Sequence, residues 1–433
     1  MPNAAQIEAE LRTQRMSSLD DLLPGGEFVL PHYEGLGIAN LPATIAALLG
    51  SELPGACPPL RHDLWAGWAD GIRRVVLVLI DALGYLQLRA AMQADDGLAF
   101  HRLAEAGRLI PLTSTAPSTT CTVLTTLWTG YSPAAHGVVA FEAHLRELGV
   151  AASLLFFCPT FHRQRDALVD WGLKPDTFLP VPGLAEQLAA QGIPTYSAIH
   201  KSYAHSTLSN LCHRGVQEVI GFVGNADMWL GLQRIIEQHD SERLCIMGYW
   251  GTIDSITHDY SPDDASWDIE LRSISWAIEN GFLSRLTPRQ REGTLLLLTA
   301  DHGGISTSPR TAVRLQDHPA LRDVLALPPL GESRVPFFYT RGDTFEQARS
   351  YMQDRLSREF STLTREQVLG SGLLGPGPVY AETPHRLGDL VGLARGNWYM
   401  ARNDEQSKMK GRHGGLSARE MLVPLLGVRL DAL

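Results

Sequence analysis

The sequence lacks three features that would point to familiar classes of protein: a long apolar run, an excess of basic residues and a Cys-x-x-Cys pair. No run approaches the roughly 20 apolar residues of a transmembrane helix, and the first residues contain no apolar signal core. The formal net charge of −10 argues against a nucleic-acid polymer as partner, because such binding needs clustered Lys and Arg. The five cysteines are odd in number and scattered, which is typical of reduced thiols. We therefore expect a soluble, cytoplasmic protein with no membrane partner.

The remaining composition is that of an ordinary globular protein. The chain has 433 residues, of which 44% are apolar and 19% are charged. This length suffices for one large α/β domain with insertions, or for two domains. The negative charge does not exclude a small phosphate substrate, since bound metal ions add positive charge that composition does not count. The sequence gives no indication of the oligomeric state.

Three continuous apolar runs each end close to an aspartate. Runs without alternation predict strands buried on both faces, as in a parallel sheet covered by helices. An acid after such a strand is either a helix cap or a ligand, and open α/β sheets bind ligands at the carboxyl ends of their strands. The runs and their acids are Val75–Ile80 with Asp81, Leu244–Gly251 with Asp254, and Thr294–Thr299 with Asp301.

Histidines accompany two of these acids, and a third histidine follows late in the chain. His258 lies four residues after Asp254, so one helical turn would point both side chains at one ion. His302 directly follows Asp301, and His413 lies among glycines, where we expect it to be well exposed to a cleft. Six oxygen and nitrogen ligands without a thiolate suit two divalent metal ions. Zinc is the expected ion, with manganese as the alternative.

Hydroxyl side chains are dense between Thr113 and Gly130. The pattern around Ser118, Thr119 and Thr120 predicts a loop that leads into a buried helix. A nucleophile at a helix N-terminus lies in a field that favours negative charge. His136, in the turn that follows, is expected to be a hydrogen-bonded structural residue.

Together these motifs resemble the alkaline phosphatase superfamily and, within it, the type I phosphodiesterase/nucleotide pyrophosphatase group. The resemblance spans roughly Val75 to the C-terminus. The segments that carry it are Leu79–Gly84, Pro117–Gly137, Asp254–His258, Thr299–Gly303 and His413–Ser417.

The resemblance implies a fold and a set of site residues. The fold would be a doubly wound, mostly parallel α/β sheet flanked by helices, with a small α+β insertion. Thr120 would be the nucleophile and an added metal ligand, with Ser118 and Thr119 as rivals for that position. One metal would be held by Asp254, His258 and His413, and the other by Asp81, Asp301 and His302.

The resemblance also implies a function, namely hydrolysis of small phosphate esters through a phosphothreonine. Coordination to a dication lowers the pKa of the threonine hydroxyl, which is otherwise a poor nucleophile. The expected activity is that of a phosphodiesterase/nucleotide pyrophosphatase, and a nucleotide is one candidate substrate. The alternatives on the same scaffold are a phosphomonoesterase, a phosphonate hydrolase or a phosphomutase. A metal-stabilised binding module without turnover is a third hypothesis.

Two departures from related enzymes bear on specificity. The group usually carries an Asn shortly after the His-Gly turn, where Val138–Glu142 offers no amide, so the partner of the phosphoryl oxygen is unassigned. Cys121 is not in the Cys-x-Pro-x-Arg setting that sulfatases need. The aromatic residues Phe141, Tyr249 and Trp250 either stack on a flat leaving group or belong to the core.

The chain divides into three predicted parts. Residues 1–70 read as a helical lead-in that packs on the core. Residues 71–304 and 401–433 form the catalytic core, and residues 305–400 form an inserted α+β subdomain. Within the insertion we expect a strand at Val335–Tyr339 and helices at about 345–358 and 385–394.

Overall fold

Two seven-stranded sheets form the frame of the protein. The structure is a computed structural model that describes residues 3–23, 25–162, 164–240, 242–402 and 408–433. The strands are β1 (Arg74–Ile80), β2 (Arg108–Thr113), β3 (Glu142–Leu145), β4 (Val150–Ser153), β5 (Cys158–Pro159), β6 (Thr195–His200), β7 (Glu218–Phe222), β8 (Leu244–Trp250), β9 (Thr294–Thr299), β10 (Ile305–Ser306), β11 (Ala312–Arg314), β12 (Leu330–Gly331), β13 (Pro336–Phe338), β14 (Phe360–Thr364), β15 (Leu390–Ala394), β16 (Tyr399–Ala401), β17 (Gly411–Arg412) and β18 (Leu422–Arg429).

Helices cover both faces of the sheet that contains β1, which we call the central sheet. For example, the helix at residues 225–238 packs on three of its strands. The α-helices are α1 (Ala4–Thr13), α2 (Leu41–Leu48), α3 (His62–Trp65), α4 (Tyr85–Ala94), α5 (Ala99–Ala106), α6 (Thr120–Thr129), α7 (Pro133–His136), α8 (Ala167–Asp170), α9 (Pro175–Phe178), α10 (Leu184–Ala189), α11 (Thr207–Cys212), α12 (Asn225–Gln238), α13 (Thr252–Tyr260), α14 (Ala265–Ala277), α15 (Pro288–Arg291), α16 (Pro319–Val324), α17 (Phe345–Arg355), α18 (Arg365–Gly370), α19 (Thr383–Arg386) and α20 (Ala418–Met421).

The central sheet has the strand order β2-β18-β9-β1-β8-β6-β7. Its strands are parallel except β18, which runs antiparallel to both of its neighbours. Every residue of β1 and β9 is buried, as continuous apolar runs predict for strands covered on both faces. The predicted fold class, a mostly parallel α/β sheet flanked by helices, is confirmed.

The register of the central strands brings distant parts of the chain to one edge. Ile80 at the end of β1 is opposite Trp250 at the end of β8, and Leu79 is opposite Thr299 at the end of β9. Strand β2 ends at the same edge, because it and β9 both run antiparallel to β18. The loops after β1, β2, β8 and β9 and the loop before β18 therefore meet there.

The second sheet has the order β14-β15-β13-β12-β3-β4-β5 and is antiparallel throughout. Its strands come from residues 142–159 as well as from the segment predicted to be an insertion. Gly331 of β12 pairs with Glu142 of β3, which joins the two contributions. The predicted boundaries at 1–70, 71–304 with 401–433, and 305–400 stay a prediction.

One predicted helix does not form. The prediction of a helix at residues 385–394 is wrong, because only Thr383–Arg386 is helical and Leu390–Ala394 is a buried strand. The strand forms because β13 and β14 hydrogen-bond to it on either side. Among the described residues, no helix combines the length and the apolar character needed to cross a bilayer.

Candidate active site

The carboxyl edge of the central sheet carries a group of three side chains that we call the buried cluster: Asp81, Asp301 and His302. One possible ligand atom from each lies within 4.8 Å of the others. His302 Nε2 is 3.5 Å from Asp81 Oδ1 and 3.4 Å from Asp301 Oδ2. Because Gly84 precedes α4 as its cap, Asp81 is not needed as a helix cap and is available to the site.

A second group, the rim cluster, consists of Asp254, His258 and His413. Asp254 and His258 share α13, so that His258 Nε2 lies 3.4 Å from Asp254 Oδ2. His413 comes from the loop before β18, and its Nε2 is 3.7 Å from Asp254 Oδ1. The two predicted ligand sets are therefore assembled as two clusters. They adjoin each other, since the rings of His302 and His413 stack with centroids 3.7 Å apart.

Backbone carbonyls orient all three imidazoles. Nδ1 of His258 faces the carbonyl of Gly411 at 3.0 Å, and Nδ1 of His302 faces that of Gly303 at 3.0 Å. Nδ1 of His413 faces the carbonyl of Ser118 at 3.2 Å. Since a carbonyl only accepts, Nδ1 carries the proton in each ring, which leaves the Nε2 lone pair directed into its cluster. This is the arrangement found around metal-ligating histidines.

The aspartate carboxylates of the two clusters also fit a bound cation. Each of the three aspartates keeps one buried oxygen without a hydrogen-bond donor among the described residues: Asp81 Oδ1, Asp254 Oδ1 and Asp301 Oδ2. The other oxygen of Asp301 accepts the backbone N–H groups of Ala82 and His302, so it is held in place. Buried carboxylate oxygens without donors are costly unless a cation compensates them. The two clusters therefore fit two divalent ions.

Burial and neighbouring ligand side chains also shift the pKa values of Asp81 and His413. Burial, together with the charges of Asp301 and Asp254, raises the pKa of Asp81 well above its usual range. Burial lowers the pKa of His413 well below its usual range, and the neighbouring rings of His302 and His258 lower it further. Crowded carboxylates and neutral imidazoles are the donor set that a divalent cation binds.

Thr120 lies beside the buried cluster. Its Oγ1 is 3.5 Å from Asp81 Oδ2 and 3.3 Å from His302 Nε2. It is the first residue of α6, a helix that is almost entirely buried, as predicted. The rival hydroxyls are occupied elsewhere: Ser118 donates to the carbonyl of Gly415 at 2.7 Å, and Thr119 donates to Glu332 at 2.5 Å.

A cavity of about 470 Å³ opens over both clusters. Phe141 and Tyr249 line it, and the Tyr249 hydroxyl donates to Asp81 Oδ2. Trp250 is not among the lining residues: it is buried, its ring packs against Phe222, and its Nε1 donates to Glu270. Of the three predicted aromatic contacts, the structure brings two to the cavity.

Two further expectations concern histidines. His136 is fully buried, its Nδ1 accepts the N–H of Val138, and its Nε2 bonds to Thr126, which confirms the structural role. His413 lines the cavity, but the expectation that it is well exposed is wrong, since only 10% of its side chain is accessible. Stacking on His302 covers the ring that the flanking glycines leave open.

Sequence reasoning missed several polar side chains of the cavity wall. Glu332 follows β12 and accepts the Thr119 hydroxyl and the N–H of Phe141, and burial raises its pKa to about 8. Arg402 pairs with Glu142 at 2.8 Å, and Arg165 lies over the Phe156 ring. None of these residues stands in a motif, so only their folding onto the site reveals them.

A mostly parallel α/β sheet with two Asp/His clusters and a threonine at its carboxyl edge has the alkaline-phosphatase-like fold, and the match of a family profile places the chain among hydrolases of phosphate esters. Within that class, the chain belongs to the type I phosphodiesterase / nucleotide pyrophosphatase family, whose sequence profile matches residues 75–416. Members of this family are typically dependent on divalent metal ions.

Solved structures share the fold at low sequence identity. Human ectonucleotide pyrophosphatase / phosphodiesterase 5 is 17% identical with a TM-score of 0.63, covering 82% of this chain and 87% of that one. An inactive variant of the murine protein in complex with AMP is 16% identical with a TM-score of 0.62, covering 82% and 88%. Phosphonoacetate hydrolase from Sinorhizobium meliloti 1021 in complex with phosphonoformate is 15% identical with a TM-score of 0.60, covering 82% and 93%. No curated protein matches the sequence.

Proposed function

We propose that the protein is a two-metal phosphodiesterase that uses Thr120 as its nucleophile. The observation that carries the proposal is the position of Thr120 Oγ1, which lies 3.3 Å from His302 and 3.5 Å from Asp81 at the N-terminus of α6. A hydroxyl in this position, with both rival hydroxyls bonded elsewhere, is the group best placed to attack a substrate in the cavity.

Two divalent ions, zinc by expectation and manganese as the alternative, would be held by the two clusters. The buried cluster would hold one together with Thr120, and the rim cluster would hold the other. When bound, such ions polarise a phosphoryl group and lower the pKa of hydroxyl groups beside them. The fit rests on the three donor-free aspartate oxygens and on the three oriented imidazoles.

The reaction has two halves on the chain's own residues. Thr120 Oγ1 gives up its proton and attacks phosphorus, a Thr120 Oγ1–phosphorus bond forms, and the bond to the leaving oxygen breaks while that oxygen takes up a proton. Water then attacks the phosphorylated Thr120, which still carries the second ester group of the substrate, from the side that the leaving group vacated. Water loses a proton, the bond to Thr120 breaks, the Thr120 hydroxyl regains a proton, and a phosphate monoester departs.

The first backbone N–H groups of α6 supply donors for the phosphoryl oxygens. Thr119, the residue in the cap position, makes no capping hydrogen bond, because its hydroxyl donates to Glu332. The N-terminal amides of this ten-residue helix are therefore free of a side-chain cap and favour negative charge. We assign them the part that an Asn amide plays in related enzymes and that Val138–Glu142 does not offer.

The cavity fits a small phosphodiester with a flat leaving group. Its volume of about 470 Å³ is that of a small-molecule site, and Phe141 and Tyr249 provide aromatic surface beside the buried cluster. The AMP complex of the murine neighbour supports a nucleotide as one candidate.

A phosphonate hydrolase is the second candidate, and Arg165 favours it. Its guanidinium lies over Phe156 on the cavity wall, and it has no carboxylate partner among the described residues. A planar cation in this position would bind an anionic leaving group, such as the carboxylate of a phosphonate. The fold shared with phosphonoacetate hydrolase supports the same possibility.

Substitution of Thr120 tests the mechanism. Thr120→Ala should lower turnover of a chromogenic phosphodiester by about 10³-fold or more while the two clusters keep their metal, because the six Asp and His ligands are unchanged. Thr120→Ser should retain measurable activity, and Ser118→Ala and Thr119→Ala serve as controls with much milder effects. Near-normal turnover in Thr120→Ala would contradict the proposal.

A panel of substrates tests the reaction class. Comparison of a diester, a monoester and a phosphonate under the same metal conditions should give the highest kcat/KM for the diester. A preference for the phosphonate that Arg165→Met abolishes would favour the second candidate. A wild-type protein that binds two ions and hydrolyses none of the three would be a binding module instead.

We also propose a cytoplasmic location. All five cysteines are free and buried, which suits a reducing compartment. Recovery of the untagged protein in a periplasmic or extracellular fraction would contradict this.

A further inference from the structure

Beneath the cavity, Arg334 and Glu420 form an ion pair that sequence reasoning did not detect. Both side chains are inaccessible to solvent, and they meet through two parallel hydrogen bonds. Arg334 Nε donates to Glu420 Oε1 at 3.0 Å, and Arg334 Nη2 donates to Oε2 at 2.7 Å. Arg334 lies between β12 and β13 of the second sheet, and Glu420 lies in α20 just before β18 of the central sheet. The pair therefore connects the two sheets.

Glu420 also binds the backbone just after each of two histidine ligands. Its Oε1 accepts the N–H of Gly415 at 2.8 Å, two residues after His413. Its own backbone carbonyl accepts the N–H of Gly303 at 2.9 Å, directly after His302. One residue thus touches the chain next to a ligand from each cluster.

The same contacts reach the nucleophile loop. The Gly415 carbonyl accepts the Ser118 hydroxyl at 2.7 Å, and the Ser118 carbonyl faces His413 Nδ1 at 3.2 Å. The Ser118 N–H donates to Gly414 at 3.3 Å. A continuous set of hydrogen bonds therefore runs from the ion pair through Gly415 to Ser118, which lies two residues before Thr120.

Gly415 leaves no room between the loop and the carboxylate. A Cβ at this position would lie 2.7 Å from both carboxylate oxygens of Glu420. Only glycine allows the backbone to approach the carboxylate so closely. The close approach is a feature that a purely stabilising ion pair would not need.

We propose that the Arg334–Glu420 pair is a positioning unit, which holds His413 and the Thr120 loop in the register required for catalysis. The proposal rests on the proposed function, since it assigns the pair a part in the same reaction. A buried pair replaced by apolar side chains of similar size often keeps its stability, whereas loss of one partner leaves a charge buried. Stability and positioning can therefore be separated.

The experiment compares Arg334→Met and Glu420→Met with the double variant that carries both changes. Each single variant should melt at a lower temperature than the wild type, and the double variant should recover most of that loss. Turnover of the double variant should nevertheless stay about 100-fold below the wild type with KM within about threefold, because Gly415 has lost its acceptor and a small misplacement of reacting groups costs that much.

Arg74→Met is the matched control. Arg74 is also fully buried, but it starts β1 at the opposite edge of the central sheet, where it donates to Thr294 and to backbone carbonyls. This variant should lower the melting temperature while its folded fraction turns over at the wild-type kcat. Gly415→Ala is a second test that keeps both charges. Its Cβ would meet the Glu420 carboxylate, so it should lower the melting temperature and also the kcat of its folded fraction.

Hydrogen exchange of the backbone amides at residues 411–417 provides a readout independent of activity. The double variant should lose protection there, while Arg74→Met should not. Wild-type turnover and protection in the double variant would overturn the proposal. If the wild-type protein hydrolyses no phosphate ester, the proposed function fails. Independently of that result, unchanged hydrogen exchange at residues 411–417 in the double variant and in Gly415→Ala would refute the positioning unit.

Discussion

Removing the Tyr249 hydroxyl should weaken one metal centre and leave the other intact. In the structure this hydroxyl donates to Asp81 Oδ2, the oxygen that also faces Thr120 Oγ1 at 3.5 Å. Tyr249→Phe deletes that donor and retains the ring that lines the cavity. Asp81 would then have no described hydrogen-bond donor other than Thr120, because its Oδ1 already lacks one.

The magnitude follows from the charge on the acceptor. A hydrogen bond to an ionised group contributes about 1.5–3 kcal/mol, roughly a factor of 10 to 100 in an equilibrium constant. Loss of a group that supports a metal ligand typically lowers metal affinity by a similar factor, about 10–100-fold. We therefore expect the buried cluster of Tyr249→Phe to bind zinc about 10–100-fold more weakly. The rim cluster should be unaffected, since no hydrogen bond joins it to this hydroxyl.

Competition between the protein and a chromophoric chelator measures the two affinities separately. The wild type should retain two ions at a chelator concentration at which Tyr249→Phe retains about one. The control is Tyr33→Phe, which removes another buried hydroxyl, one that donates to the Leu373 carbonyl away from both clusters. Equal affinities in Tyr249→Phe and the wild type, or equal weakening of both centres, would refute the reasoning.

Three further predictions concern the cavity, pH and metal removal. Phe141→Ala should raise KM for an aromatic diester several-fold and Trp250→Phe should not, because Phe141 lines the cavity and Trp250 does not; equal effects in steady-state kinetics would contradict the placement. Burial lowers the pKa of His136 to about 3, so the unfolded chain binds a proton that the folded chain does not between that value and about 6.5. Stability is then fully present above pH 6.5 and falls by about 1.4 kcal/mol per pH unit below it, and urea unfolding at several pH values should show a shallower fall in His136→Asn. A chelator should abolish turnover and lower the melting temperature, and zinc or manganese should restore both; full activity after complete metal removal would disprove the two-metal mechanism.

The sequence predicts well which residues meet at the carboxyl edge, because local signals and the general topology of α/β sheets agree there. Strands β1, β8 and β9 are continuous apolar runs, and as parallel neighbours they end at the same edge of the sheet. The acids that end them must then lie together. Asp254 and His258 needed only one helical turn to meet, and α13 provides it.

The errors arise where local pattern and tertiary contact differ. The run Leu390–Ala394 is too short to distinguish a helix from a buried strand, and hydrogen bonds from β13 and β14 decide it. Tyr249 and Trp250 are consecutive in β8, so their side chains point to opposite faces. That rule alone would have excluded one of them from the cavity.

Other features depend on contacts between distant segments and have no local signal. Glu332 reaches Thr119 from 213 positions away in the sequence, and Arg334 reaches Glu420 from 86 positions away. Neither residue stands in a motif or a periodic pattern. A single sequence cannot show which acid of the second sheet will face the loop before Thr120.

The three imidazoles take their orientation from the main chain, and this has a consequence for engineering the enzyme. Because the carbonyls of Gly411, Gly303 and Ser118 set the ring tautomers, the side chains of the distal cavity wall do not have to be kept for that purpose. Residues of the distal cavity wall, such as Phe141 and Arg165, are then free to vary for a new leaving group. Libraries restricted to that wall should yield variants with altered substrate preference that still load metal, whereas proline substitutions in the three loops should not.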